Sequence, residues 1–443
     1  MRGRTARSAI RIRLAGVGWL MIAARCASAQ NVPPVFIPFE TANQQIFNGR
    51  FDRTVTGFFQ FMDDGVLKGF GEGLFGGGTF SRVSRGFQEF QRQAQASTDE
   101  VPIPSGSVSV AYAYDPKLET FVREQRPFAP ALSVNARTDG RGVLTVGAAF
   151  SYLQYQNFEG QDRDGVVFPT DLGITTDDGL PISDQLFFQF KLRQSIYSVS
   201  IQFGVLDNLD VGIFIPILDE SFRGRIIDEF AVETPKGKFQ PLTLSPDGRL
   251  VADSRFEARP ITASSFNVFP GTIPSAGFFF SKNTWGVGDV ILRTKAFLGS
   301  AGPLDFGGAV NLALPTGDED DLLGVGSVRV DPRLLISTGN ERFTLHTNQA
   351  VHLDVDDQDR DRYDYSVGGE AALTPWLTLL VDHVGRIEIF GNDKIRKFEI
   401  VPGIKANVYG DFIVGFNAIV PLNDSGLTTD FTPNATIEVS KAF

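Results

Sequence analysis

The stretch FTPNATIEVSKAF, residues 431–443, ends the sequence and decides the predicted fold. Its odd-numbered positions are mainly apolar and end on Phe443. The even-numbered positions from 432 to 440, which lie on the other face, are polar. This two-residue period is typical of a β-strand whose faces meet different surroundings. A terminal aromatic on an exposed edge favours aggregation in a water-soluble sheet, but it suits the strand that closes an outer-membrane barrel. The stretch therefore predicts a barrel, although Lys441 on the apolar face departs from the pattern.

Residues 1–29 have the pattern of an export signal. Arginines precede a short apolar run at 14–24, and Ala27-Ser28-Ala29 fits a cleavage site. The run is too short to cross a membrane as a helix. Cys26 is the only cysteine and lies in this segment. We therefore expect an exported chain without disulfide or thiol chemistry.

The exported chain is predicted to be strongly acidic. The formal net charge of −11 becomes −17 once the six arginines of the leader are removed. Such a chain is a poor partner for nucleic acid. No later run of about 18 apolar residues occurs, so the sequence predicts no membrane helix. Phenylalanine is frequent, at 40 of 443 residues, which suits a protein that exposes apolar rings to lipid.

Residues 30–104 do not have the pattern of a barrel. Apolar residues recur at helical spacing in 66–74 and 80–94, with a glycine-rich stretch between them. We expect a partly helical or irregular segment, periplasmic or plug-like; a leader with one short amphipathic helix is the alternative. Gly76-Gly77-Gly78 lacks the lysine and spacing of a phosphate loop, so no nucleotide cofactor is predicted.

From Val143 onward, alternation and turn signals predict an all-β transmembrane barrel of about twelve antiparallel strands within a domain at 105–443. The predicted strands are 143–156, 184–203, 208–221, 284–298, 303–315, 326–338, 341–356, 362–374, 376–391, 394–408, 410–422 and 429–443. Short links alternate with longer polar links, and 222–283 is predicted as a long outer loop. This layout is typical of a bacterial outer-membrane barrel, with both chain ends in the periplasm.

The predicted strands carry large apolar residues on one face and small or charged residues on the other. In lipid the apolar face points outward, so the charged residues are predicted to line the lumen. The candidates are Asp289, Arg293, Lys295, Arg329, Asp331, Arg333, Glu370, Asp382, Arg386, Glu388, Lys397, Glu399 and Lys405. Ion pairs that hold the strands in register are one interpretation, and solute guidance or an ion-selective constriction is the other. Because neighbouring strands place both signs together, the sequence argues against a strongly ion-selective pore.

The sequence predicts no enzyme, metal site or cofactor. His346 and His352 share one face of a predicted strand, but their separation is about 20 Å, too far for one metal. No nucleophile-elbow or metalloprotease motif occurs. An embedded lipase that combines one of these histidines with a serine from a neighbouring strand is a minor alternative. The acidic runs 318–321 and 354–364 are predicted to be solvated loops, or else to bind lipopolysaccharide through divalent cations.

Several short motifs occur in an order shared with a known family. They are Trp285-Gly286-Val287-Gly288-Asp289-Val290, Leu314-Pro315-Thr316-Gly317-Asp318, Leu209-Asp210-Val211-Gly212 and Val101-Pro102-Ile103-Pro104-Ser105. Over about residues 100–443 the chain resembles the transporter-like outer-membrane family named for the phenol meta-degradation pathway. Asn135-Ala136-Arg137-Thr138 departs from that family, in which an acidic residue and an arginine are expected before the alanine.

The resemblance implies passive uptake of aromatic or other hydrophobic small molecules across the outer membrane of a Gram-negative bacterium. The last strand also resembles the C-terminal assembly signal of bacterial outer-membrane barrels, which implies that the barrel-assembly machinery reads Phe443. Barrels of about eight strands are filled by side chains and those of sixteen or more hold open channels, so twelve strands predict a narrow, partly occluded pore. The solute would diffuse through the lumen or leave sideways into the membrane. A structural or adhesive barrel with a closed lumen is the alternative.

Overall fold

The computed structural model describes residues 55, 81–99, 112–115, 120–123, 127–175, 181–233, 238–244, 250–252, 259–260, 277–390 and 395–443. The predicted signal at 1–29 lies outside these residues, as does most of the segment 30–104. One helix, α1 (Ser81–Asp99), belongs to that segment. Within the described ranges, no helix combines the length and the apolarity that a membrane span requires.

The rest of the described chain is almost entirely β-structure. Strands β1 (Tyr112–Asp115) and β2 (Thr120–Arg123) form a separate hairpin. The next strands are β3 (Val143–Phe158), β4 (Gln161–Asp162), β5 (Val166–Thr175), β6 (Pro181–Leu206), β7 (Leu209–Glu233), β8 (Lys238–Leu244), β9 (Leu250–Ala252), β10 (Arg259–Pro260) and β11 (Gly277–Val287). The last are β12 (Val290–Ala301), β13 (Leu304–Leu314), β14 (Arg329–Gly339), β15 (Phe343–Asp354), β16 (Arg362–Thr374), β17 (Leu377–Glu388), β18 (Arg396–Tyr409), β19 (Phe412–Pro421), β20 (Leu427–Thr429) and β21 (Thr432–Ala442).

Twelve of the described strands form a closed antiparallel wall: β3, β6, β7, β12 to β19 and β21. β11 pairs with β7 and continues as β12 after a short interruption. The last strand pairs with the first from Asn434–Ser151 to Ala442–Val143. Residues 431–443 therefore close the cylinder, and the predicted twelve-strand barrel is confirmed.

The predicted strand bounds need correction on either side of the longest link. β7 continues to Glu233 and β11 begins at Gly277, so the predicted outer loop 222–283 is shorter than expected. Pairing between β6 and β7 continues as far as Ile182–Val232. The alternation is less obvious beyond residue 221 because a glycine and arginines interrupt the apolar signal. The predicted link 157–183 likewise contains β4 and β5.

The outer surface of the wall is apolar. Exposed fractions of 38–47% occur along β3 and β6 for Val146, Phe150, Tyr197, Val199, Ile201 and Phe203. The alternate positions face inward and are polar, such as Thr145, Ser198 and Gln202. A contiguous apolar surface of this kind marks contact with lipid or another apolar partner. The two faces are therefore inverted relative to a water-soluble sheet.

The short links after β6, β12, β14, β16 and β18 lie at one end of the barrel, here called the tight-turn end, and the opposite end is the long-loop end. The chain terminus lies at the tight-turn end, where the Phe443 N–H donates to the Gly142 carbonyl at 3.1 Å. The Lys441 ammonium lies 5.5 Å from the centre of the Phe443 ring. Because Lys441 is at the rim, its apolar stem can follow the outer face while its charge stays in water. This position explains the departure of Lys441 from the apolar pattern.

Deletion of Phe443 is expected to reduce membrane insertion several-fold while synthesis continues. The deletion removes both the exposed terminal aromatic and the hydrogen bond to Gly142. The measurement is the amount of folded barrel in membrane fractions, detected by gel mobility that depends on boiling. Phe443→Tyr retains an aromatic ring and serves as the control. Equal amounts of folded wild-type and shortened protein would contradict a role for Phe443 in assembly.

Candidate functional site

Helix α1 lies inside the barrel, towards the long-loop end. Its Phe87 and Phe90 side chains are fully buried against aromatic residues of the inner wall. The Phe90 ring centre is 4.9 Å from that of Phe188 and 4.8 Å from that of Phe190. The ring centres of Phe87 and Phe168 are 4.8 Å apart. The apolar face predicted from helical spacing thus packs on the wall, at the end opposite the chain terminus.

Polar contacts also hold α1 in the lumen. Arg92 binds Glu388 of β17 at 2.7 Å and Glu89 of its own helix at 2.6 Å. Gln93 donates to Glu159 at 2.8 Å. Burial by itself would lower the pKa of the Arg92 guanidinium, but hydrogen bonds to Glu89 and Glu388 outweigh it and raise this pKa above its ordinary value. Arg92 is therefore a permanent cation between the helix and the wall.

Residues 127–142, here called the lumen strap, cross the tight-turn half of the barrel before β3 begins. Half of these residues are buried, including Phe128, Val134 and Ala136. Several of their backbone N–H groups donate to wall side chains. The donor and acceptor pairs are Phe128–Thr378, Leu132–Asp382, Ser133–Asp382, Val134–Asn348 and Ala136–Ser337.

Asp382 of β17 makes the densest contact with the strap. Its fully buried carboxylate accepts from the Leu132 N–H at 2.7 Å and from the Ser133 N–H and hydroxyl at 3.2 and 2.9 Å. A Cβ atom at Gly368 on the neighbouring strand would lie 1.9 Å from this carboxylate. Glycine is therefore required beside Asp382, and the inner wall is shaped to hold the strap.

A second anchor fixes the strap where it joins β3. The buried Lys295 ammonium lies 3.3 Å from the Asp210 carboxylate and 3.7 Å from that of Asp139 in the strap. Gln202 donates to Asp139 at 2.6 Å. Asp139 and Asp210 were not among the predicted lumen residues. The contact of Asp210 with Lys295 could nevertheless have been predicted, because the two residues are directly opposite each other in the β7–β12 register.

All thirteen predicted lumen residues are buried or half-buried in the structure. Most contact a neighbouring opposite charge or a polar group. The distances are Arg329–Asp289 2.9 Å, Arg386–Glu399 2.8 Å, Lys405–Glu438 2.9 Å, Arg333–Asp331 3.3 Å, Arg92–Glu388 2.7 Å and Arg293–Asn311 2.9 Å. Asp289 lies between two strands, not within the predicted strand 284–298, and accepts from the Gly317 and Val325 N–H groups. It therefore folds the link after β13 into the lumen.

Three buried residues form a chain that resembles a catalytic triad. The Ser337 Oγ is 2.8 Å from His346 Nδ1, and His346 Nε2 is 2.8 Å from the Glu370 carboxylate. Each residue is only 3% exposed, and the Ser337 hydroxyl accepts the Ala136 N–H of the strap at 2.9 Å. The strap covers this chain, so its geometry fits an anchor better than a nucleophile, which must reach its substrate.

A cavity with an empty volume of about 550 Å³ lies between α1 and the wall at the long-loop end. We call it the arginine cavity. Among the residues that the structure describes, its lining includes six cationic side chains and one carboxylate. They are Arg92, Arg329, Arg360, Arg362, Arg386, Lys397 and Glu388. Ala96, Val325 and Ile395 add apolar surface, so the cavity combines positive charge with a partly apolar lining.

A second cavity of about 470 Å³, here called the side cavity, shares Arg386 and Lys397 with the first. Its other lining is partly apolar and includes Leu153, Phe398, Ile419 and Pro421. Two residue pairs are missing from the β18–β19 ladder close to it. Val401 and Pro402 form no pair in the β18–β19 ladder, although residues on both sides of them pair. Proline has no N–H to donate, which accounts for part of this gap.

Two residues of the predicted acidic loops contact other residues of the barrel. Asp321 pairs with Lys282, and Asp354 accepts from the Ser327 hydroxyl at 2.6 Å. Across the described ranges, no group of three or more His, Cys, Asp or Glu side chains is placed to hold a metal ion. The predicted cation bridges from these loops to lipopolysaccharide stay a prediction.

A closed barrel with an apolar outer face and a charged, occupied interior defines the class of membrane-spanning β-barrels.

No protein-family model matches the chain, and no curated protein matches its sequence. An outer-membrane channel from Pseudomonas putida is similar over 69% of this chain and 98% of its own, at 13% identity and a TM-score of 0.41. The toluene transporter TodX of Pseudomonas putida matches over 70% and 92%, at 11% identity and a TM-score of 0.34. A Pseudomonas aeruginosa FadL homologue matches over 68% and 90%, at 13% identity and a TM-score of 0.28. At identities and TM-scores this low, neither a residue role nor a solute can be assigned to this chain from these structures.

Proposed function

We propose that this chain is an outer-membrane channel for the passive uptake of small hydrophobic or aromatic molecules. The observation that carries the proposal is the combination of a closed wall with an apolar outer face and a lumen occupied by α1 and the lumen strap. An open aqueous pore would suit polar solutes, whereas small, partly apolar cavities beside a plug suit apolar ones. Lipid, lipopolysaccharide and the barrel-assembly machinery are the proposed surroundings and partners.

The proposed route enters at the long-loop end and leaves through the wall. A solute would pass from the arginine cavity into the side cavity, because the two share Arg386 and Lys397. It would then reach the interruption at Val401 and Pro402, where the ladder lacks pairs. Release into the membrane suits an apolar molecule, since transfer of apolar surface out of water is favourable. No energy source is part of this proposal.

The finer proposal is membership of the family named for the phenol meta-degradation pathway. Its support is the ordered set of motifs at residues 101–105, 209–212, 285–290 and 314–318. A structural barrel with a closed lumen is the second candidate. The many contacts of α1 and the strap favour it, because they fill much of the interior. Catalysis is not proposed, since the chain through Ser337 is covered.

A disulfide across the wall interruption tests lateral release. By register Ile419 is opposite Val401, so Val401→Cys combined with Ile419→Cys should form a bridge that holds β18 to β19. Oxidation is expected to reduce uptake of radiolabelled naphthalene by intact cells several-fold, and a reductant should restore it. The control pair is Thr145→Cys with Ser440→Cys, whose hydroxyls are 3.0 Å apart within a continuous ladder.

The control bridge is expected to leave naphthalene uptake unchanged. Equal uptake by the oxidised and reduced forms of the Val401/Ile419 pair would exclude this exit. If both variants and the wild type take up no more naphthalene than cells without the protein, the channel function itself is wrong. Uptake is compared only for variants whose gel mobility depends on boiling, because that behaviour indicates a folded barrel.

A further inference from the structure

We infer that the arginine cavity receives the carboxylate head group of an apolar acid, so that hydrophobic acids are preferred over neutral molecules of the same size. This inference rests on the proposed channel function and names its solute class. Six cationic side chains and one carboxylate meet in the described lining of a single cavity. That imbalance differs from the mixed signs that the sequence predicted for the whole lumen.

Arg92 pairs with Glu388 within the lining, whereas Arg329, Arg362 and Arg386 pair with carboxylates outside it. Arg329 binds Asp289 at 2.9 Å, and Arg362 binds Asp364 at 3.1 Å. These carboxylates orient the guanidinium groups and are themselves absent from the cavity surface. Arg386 is bound by Glu399 at 2.8 Å, and Glu399 lines the adjoining side cavity. The described lining of the arginine cavity is therefore predominantly positive.

Enclosure strengthens this effect. Charges that line a cavity with low-dielectric walls focus the field and attract an ion of the opposite sign more strongly than they would on an open surface. Guanidinium groups also match the planar geometry of a carboxylate, which they bind through paired N–H donors. Arg92 and Arg360 approach from α1 and from the link before β16, so cations surround the cavity from different elements.

The apolar part of the solute also has a defined place. Ala96, Val325 and Ile395 line the arginine cavity, and the side cavity adds Leu153 and Ile419. A carboxylate at the cations and a hydrocarbon body towards the side cavity would satisfy both kinds of surface.

Calorimetric titration of the full chain in lipid nanodiscs tests this inference with three probes of equal length. Octanoate is expected to bind at least about tenfold more tightly than octanol, the difference that a charge-assisted contact makes. Octylammonium is expected to bind more weakly than octanol, because its charge has the same sign as the lining. Octanol binding as tightly as octanoate, or octylammonium binding most tightly, would overturn the inference.

Two substitutions on the same inward face of β18 give a matched comparison. Lys397 lines the arginine cavity, whereas Lys405 pairs with Glu438 away from it. Lys397→Gln is expected to weaken octanoate binding about tenfold, and Lys405→Gln is expected to leave it within about twofold. Equal effects of the two substitutions would overturn the assignment of the head group to this cavity.

A substitution that adds charge avoids the loss of an existing ion pair. Ile395→Glu places a carboxylate among the cations and is expected to abolish octanoate binding, while Ile395→Gln retains the shape without the charge and should bind. Octanoate binding to both variants would contradict the inference. Naphthalene uptake by cells is measured on the wild type in parallel. Normal naphthalene uptake without preference for octanoate overturns the acid inference alone, whereas absence of uptake overturns the channel proposal.

Discussion

Replacement of Val199 by arginine is expected to lower the free energy of unfolding in the membrane by about 2–4 kcal/mol, the range for arginine at the lipid-facing midplane of a barrel. Val199 is 39% exposed on the outer face of β6, between the exposed residues Tyr197 and Ile201. A loss of this size decreases the folding equilibrium constant about 30- to 700-fold. The substitution therefore addresses the orientation of the whole wall.

Ser200→Arg is the matched control, because Ser200 is the next residue and faces the lumen. A charged side chain there meets a polar interior and is expected to have a much smaller effect. Urea unfolding from lipid vesicles, followed by gel mobility with and without boiling, measures both variants. Equal losses, or a larger loss for Ser200→Arg, would mean that the strand is assigned with its faces reversed.

Replacement of Asp382 by alanine is expected to release the lumen strap and raise the conductance of the barrel. The buried carboxylate holds the strap at Leu132 and Ser133, so its loss leaves two buried N–H groups without this acceptor. Loss of hydrogen bonds to a charged group typically costs about 2–3 kcal/mol. The population of barrels with a displaced strap should then rise about 30- to 140-fold.

Single-channel recording in planar bilayers measures this effect as more frequent or longer open events. Asp382→Asn retains one acceptor oxygen and is expected to lie between the wild type and Asp382→Ala. Thr378→Val removes one neutral acceptor, that of the Phe128 N–H, and should have a smaller effect. A folded Asp382→Ala barrel with wild-type conductance would show that the strap does not limit passage.

The wall was predictable because its signals are local. Each strand has a two-residue period, and the tight links alternate with long ones, so strand number and faces followed from the sequence. The strap was not predictable in this way. Its backbone bonds, such as that from Leu132 to Asp382, join residues 250 positions apart. No period in 127–142 indicates which wall residues will accept those bonds.

The charged residues of the inner face were predicted one by one, whereas their grouping was not predicted. Alternation predicted Arg329, Arg386 and Lys397 separately, as members of three different strands. The arginine cavity also requires Arg92 from α1 and Arg360 from a link, whose positions depend on how the helix packs inside the barrel. The sign imbalance at the long-loop end is therefore a property of the folded chain.

Uptake into proteoliposomes tests the central claim, that the lumen passes apolar or aromatic solutes and not polar ones, most directly. An ionised aromatic acid, benzoate, is compared with ribose in vesicles with and without the protein. The choice of an ion matters, because neutral hydrocarbons dissolve in a bilayer unaided. We predict that the protein accelerates the entry of benzoate and leaves the entry of ribose at the rate of protein-free vesicles. Faster entry of ribose than of benzoate, or no acceleration of either, would contradict the account.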